Sequence, residues 1–96
     1  MDEKKIIKLD LTGCKYLGEL HERIRIAFGF PEWYGANWDA FWDLLRSECD
    51  ADEVIILGIN TLPVGFENEK AKMETVLERF KLNCEKYGNV FNYNYS

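Results

Sequence analysis

A chain of 96 residues with net charge -5 and 47% hydrophobic residues makes one domain: it buries about 65% of the surface its extended form exposes and is too short for two independent cores. With 30% charged residues, its composition excludes a disordered tail or a fibre. No stretch approaches the roughly 20 apolar residues that cross a bilayer. The start, Asp2, Glu3, Lys4 and Lys5, lacks a signal-peptide apolar region, so the cytosol is the expected location and no membrane contact is expected. Cys14, Cys49 and Cys84 are odd in number, widely spaced and without a C-x-x-C pair. They predict free, partly buried thiols rather than a disulfide framework or a zinc site, and nothing in the sequence calls for a metal or cofactor.

Residues 5–11 alternate, with Ile7, Leu9 and Leu11 on one face, and stop at Thr12-Gly13, which predicts a first strand. Over residues 16–28, Leu17, Leu20, Ile24, Ala27 and Phe28 recur at steps of three and four before Gly29, the pattern of a helix closed by glycine. Pro31 bars simple continuation, and residues 31–36 read as a short ordered loop in which Gly35 can take a backbone angle closed to other residues. Asn37 suits the N-cap of a second helix ending near residue 49, with Trp38, Phe41, Leu44 and Leu45 on its apolar stripe and Trp42 at the border. Residues 54–57 are a continuous apolar run ending at Gly58, as in a parallel strand covered on both faces. Residues 59–66, with Pro63 and Gly65, carry no clear period. From about residue 68 to 87 a long helix is expected to turn Ala71, Met73, Val76, Leu77, Phe80 and Cys84 inward, and residues 90–95 alternate as a last strand with Phe91, Tyr93 and Tyr95 on one face. The order strand, two helices, strand, irregular segment, helix, strand predicts a single small α/β domain: one parallel sheet packed with helices.

Charge is concentrated in the middle of the chain. Between residues 31 and 53 stand Glu32, Asp39, Asp43, Glu48, Asp50, Asp52 and Glu53 against the single base Arg46, whereas the remaining 11 bases and 10 acids nearly cancel. Such a field repels nucleic acid phosphate and attracts cationic surfaces, so direct nucleic acid binding is disfavoured and a basic partner is expected. Asp39 and Asp43, at i and i+4, project from one helix face with Trp42 beside them. Like charges at this spacing cost a few tenths of a kcal/mol. Asp39 recovers part of that in the first turn, where the helix dipole favours an anion, while Asp43 gains little and Arg46 can pair with it at i+3. Two readings stay open on the residues alone: a solvated helix face with Trp42 covering core, or a binding patch to which the loop aromatics Trp33 and Tyr34 add exposed surface, as hot spots do.

Residues 30–45, Phe-Pro-Glu-Trp-Tyr-Gly-Ala-Asn-Trp-Asp-Ala-Phe-Trp-Asp-Leu-Leu, closely resemble the barstar family pattern Leu-Pro-Glu-Tyr-Tyr-Gly-x-Asn-Leu-Asp-Ala-Leu-Trp-Asp-x-Leu. Leu20-His21 resembles that family at the matching distance, and the order of elements agrees over essentially the whole chain. The resemblance implies a three-stranded parallel sheet with helices and a 1:1 complex with a secreted, basic, barnase-like ribonuclease, whose active site the acidic helix plugs so that the producing cell survives. On the same basis Asp43 would occupy the enzyme's phosphate-binding pocket and Asp39 would pair with a further basic side chain. Trp33 would stand for a tyrosine that stacks on the enzyme, and Gly35, Asn37 and Trp42 would complete the contact. Two departures follow from the alignment of motifs. The family's further acid on the last helix falls here on Leu82 or Asn83, with Glu85 or Glu78 about one turn away as substitutes, and Trp33 lacks the phenolic hydroxyl.

Other functions compete. As an enzyme, the chain would use Asp39 and Asp43 as an acid/base pair, but two acids on one convex helix face offer no substrate cleft, and His21 has no identifiable nucleophile or metal partner. As an adaptor, the same fold would bind another basic protein without inhibiting a nuclease.

Overall fold

The structure is a computed structural model and describes residues 4–96. Alternation sets the sheet: along β1 (Ile6–Asp10), Ile7 and Leu9 are buried between exposed neighbours, as the sequence predicts. β2 (Glu53–Leu57) and β3 (Asn92–Tyr95) complete an all-parallel sheet in the order β1-β2-β3. The register aligns Ile7 with Val54 and Tyr93, and Leu9 with Ile56 and Tyr95, so these side chains share the core face. The other face carries Lys8, Ile55 and Asn94 in one row and Ile6, Glu53 and Asn92 in the next.

That second face corrects an expectation. β2 is not covered on both sides: Val54 and Ile56 are buried, whereas Ile55 and Leu57 are half-buried. As the central strand, β2 has its outward side chains shielded by their neighbours on β1 and β3, and a continuous apolar run arises without a second helical layer.

α1 (Leu17–Phe28) ends at Gly29, whose φ of 71° lets its N–H donate back to the carbonyls of Arg25 and Ile26, satisfying groups the last turn would otherwise leave unpaired. α2 (Trp38–Glu48) buries Phe41, Leu44 and Leu45. α3 (Glu67–Lys86) buries Met73, Leu77 and Phe80, with Val76 and Cys84 half-buried. Ala71, expected inward, is exposed, because it lies on the outer stripe with Glu74, Thr75 and Glu78. The unreadable stretch becomes a single 3-10 turn, Ile59–Thr61, followed by buried Leu62. It leaves β2 through Gly58, at φ 75°, where a Cβ would stand 2.6 Å from the backbone nitrogen of Thr12. Cys14 is buried, Cys49 and Cys84 are half-buried, and all three are free. Among the described residues no helix is long and apolar enough to cross a membrane.

Candidate protein-binding site

The loop between α1 and α2 is held from inside. Phe30 is buried and stacks on Phe28, with ring centroids 5.3 Å apart, and the Tyr34 N–H donates to the carbonyl of Pro31 at 3.0 Å. The Tyr34 hydroxyl lies 2.7 Å from Nδ1 of His21 and 3.5 Å from the Asn37 carbonyl. The arrangement that satisfies most groups has the His21 Nδ1–H donating to Tyr34, whose hydroxyl then donates to Asn37. This relay ties α1 to the first residue before α2. Burial pushes the His21 imidazole below its usual pKa, opposed by nearby Glu69, and its Nε2 has no hydrogen-bond partner. His21, for which the sequence offers no nucleophile or metal partner, is fully inside, its ring centroid 4.5 Å from that of Trp38. Tyr34 is also corrected: expected to add exposed aromatic surface, it is turned inward and buried. Its inward turn leaves the adjacent Trp33 73% exposed.

Gly35 is needed for space rather than for an unusual angle. The left-handed residue is Ala36, at φ 53°, not Gly35. A Cβ on Gly35 would lie 3.3 Å from Nδ2 of Asn37 and 3.4 Å from Cβ of Ala40, the two residues that build the helix cap. Asn37 accepts from the Ala40 N–H at 2.7 Å through Oδ1 and donates to the Gly35 carbonyl at 3.1 Å through Nδ2. The N-cap predicted at Asn37 is thus locked in both directions.

From this fixed start, Asp39 and Asp43 emerge on the exposed side of α2. Asp39 has no cation within ion-pair distance among the described residues, whereas Oδ1 of Asp43 is 3.4 Å from Nη2 of Arg46, with the two side chains 67% and 55% exposed. Trp42 is half-buried between the helices, the Arg79 guanidinium 4.1 Å and that of Arg46 5.8 Å from its ring centroid. Trp38 donates its indole N–H to Glu69 at 2.8 Å, so both tryptophans of α2 fasten it to α3.

The acidic run of the sequence does not form one patch. Asp50 pairs with Lys5, Asp52 accepts from the Lys5 backbone N–H at 2.8 Å, and Glu53 pairs with Lys4 at 2.9 Å. These three belong to the start of the sheet. Glu32, Asp39, Asp43 and Glu48 remain exposed on the loop and α2. Glu85 is exposed on the last turns of α3, seven residues from Glu78, whose carboxylate accepts from the Tyr93 hydroxyl at 2.8 Å. The structure therefore brings Trp33, Gly35, Asn37, Asp39, Trp42 and Asp43 onto one loop and helix. The basic flank of Trp42, formed by Arg79, was missed by sequence reasoning; its only signal is a base on the helix stripe that also carries Lys72 and Lys86, seven residues to either side.

Residues 4–96 match the protein-family model described as barstar, the barnase inhibitor. The chain belongs to the barstar family. No individual curated protein matches it at a significant level. The match covers every described residue, and the three-stranded parallel sheet and three helices of the described residues accord with a barstar-like fold. Members of the barstar family are inhibitors rather than catalysts. Among the described residues no cluster of three or more His, Cys, Asp or Glu side chains could hold a metal ion.

Proposed function

We propose that this barstar-family chain is an intracellular inhibitor, an antitoxin or immunity protein, that binds a basic ribonuclease 1:1 and blocks its active site with α2 and the preceding loop. The observation that carries the reading is the pair Asp39 and Asp43, exposed one turn apart on a helix whose N-terminus is locked by Asn37. A ribonuclease must build a cationic cleft for a phosphodiester, and two rigidly spaced carboxylates are complementary to it. Asp43 enters the phosphate site, Asp39 meets a second base, and Trp33, exposed on its loop, stacks on the enzyme surface. Gly35 and Asn37 set the loop height, and Trp42 supports the helix from behind. Glu85 adds only to the general negative field.

The Asp43–Arg46 contact does not blunt this site. An ion pair with both partners more than half exposed is worth only about 0–1 kcal/mol and exchanges readily for a guanidinium of the enzyme in a site closed to water. Charge complementarity raises the association rate and makes it salt-sensitive, while the buried carboxylate governs dissociation. The test is titration of the chain into RNA cleavage by basic ribonucleases. Stoichiometric loss of cleavage is the expected result. Binding without loss of cleavage would favour the adaptor, and RNA hydrolysis by the pure chain, abolished by Asp39→Ala and Asp43→Ala, would favour an enzyme.

A further inference from the structure

One arginine beside the proposed contact is immobilised without an acid of its own. Arg79, exposed on α3, has its guanidinium carbon 4.1 Å from the Trp42 ring centroid, and among the described residues no carboxylate stands within ion-pair distance of it and no acceptor within hydrogen-bond distance. The acids nearest on its own helix are engaged elsewhere: Glu78 accepts from the Tyr93 hydroxyl and Glu74 from the Tyr95 hydroxyl, each at 2.8 Å. A guanidinium held over an indole gives up part of its rotamer freedom before any partner arrives, and its fork of donors remains open. Leu82, one turn further along the same stripe and 56% exposed, lines with Arg79 and Thr75 one shallow groove on the outer side of α3. Arg79 links this groove, which Glu74 and Glu78 also line, to Trp42 on α2.

Resting on the inhibitor reading above, we propose that Arg79 and Leu82 extend the contact onto α3 and select the partner: the nuclease presents a carboxylate to Arg79 and an apolar side chain to Leu82 at the rim of its basic cleft. The charge order across the footprint is then negative at Asp39 and Asp43, positive at Arg79. A nuclease whose rim is basic throughout meets Arg79 as a like charge and is rejected, while one with an acid at that point is accepted. RNA phosphate is the other ligand an open guanidinium attracts, but Glu74 and Glu78 line the same groove as this arginine and disfavour a polyanion.

The experiment measures inhibition of barnase and a panel of other basic ribonucleases by the full chain and by Arg79→Met, Arg79→Glu, Leu82→Ala and Asp43→Ala variants, with thermal melts to show that each is folded. For the enzyme inhibited best, Arg79→Met should weaken inhibition about tenfold and Arg79→Glu about a hundredfold, and replacing one acid on that nuclease's rim by lysine should rescue Arg79→Glu. Unchanged or tighter inhibition by folded Arg79→Glu would overturn the proposal while leaving the inhibitor reading intact, provided Asp43→Ala still abolishes inhibition. Loss of inhibition with Asp43→Ala alone therefore separates the two. Absence of inhibition by the unmodified chain overturns both, and single-stranded RNA binding that disappears in Arg79→Glu would reassign the arginine to phosphate.

Discussion

Asp43→Ala separates binding from folding more sharply than any other change. In the free protein the carboxylate makes one exposed contact with Arg46 at 3.4 Å, which within the roughly 0–1 kcal/mol range of exposed pairs has a typical value of about 0.3–0.5 kcal/mol for two residues on one helix. Its removal also relieves the i, i+4 repulsion from Asp39, a few tenths of a kcal/mol in the opposite direction. The free energy of unfolding in urea should therefore change by less than about 0.5 kcal/mol. In the complex the same carboxylate is desolvated against basic groups, and truncating one partner of such a pair costs about 2–5 kcal/mol or more, a range for which the barnase–barstar pair is the type case. At 1.4 kcal/mol per tenfold, that is a loss of roughly thirtyfold to several thousandfold in affinity, expected mainly in the dissociation rate. Stopped-flow association and dissociation kinetics, run beside a urea titration of each variant, give both quantities. A variant that unfolds more easily by 2 kcal/mol yet inhibits as well per folded molecule would refute the assignment of Asp43.

Three further outcomes concern the fold. His21 is the only histidine, so its NMR titration is unambiguous, and its midpoint should fall below 6.5 because burial disfavours the charged ring. Between the folded and unfolded midpoints the unfolded chain binds more protons, so this contribution to stability is complete above about pH 6.5 and is lost as pH falls through the folded value; a midpoint at or above 6.5 would contradict the buried relay. Gly58→Ala should cost more than about 3 kcal/mol in urea unfolding, since a left-handed alanine costs about 1–2 kcal/mol and the new Cβ meets the Thr12 backbone, whereas Gly13→Ala, with nothing within 4 Å, should lose only the conformational part. Ala36→Gly should raise stability by up to about 1 kcal/mol by relieving the left-handed alanine at φ 53°, and a lower denaturation midpoint would show that the strain there is compensated.

How much was legible depended on whether local pattern alone decided the outcome. The strand alternation at Ile7 and Leu9, the glycine stop at Gly29 and the cap at Asn37 are consequences of side-chain period and local hydrogen bonding, and the structure has them at those residues. The openness of one sheet face was not legible, because Ile55 and Leu57 are apolar for a reason that lies in their neighbouring strands. Nor was the division of the acids: Asp50, Asp52 and Glu53 are close to Asp43 in sequence, but only the sheet brings Lys4 and Lys5 to them. Tyr34 and Trp33 are equivalent aromatic neighbours until His21, from another helix, draws one of them inside. The flank of Trp42 required the packing of α3 on α2 before Arg79 could be placed.

Competition for the cleft tests the central claim most directly. A fluorescent mononucleotide seated in the phosphate site of the inhibited ribonuclease should be displaced by one equivalent of the chain, and retained when Asp39 and Asp43 are both replaced by alanine. A stable ternary complex of enzyme, nucleotide and chain would contradict the account, because the carboxylates of α2 could then not be standing where the phosphate binds.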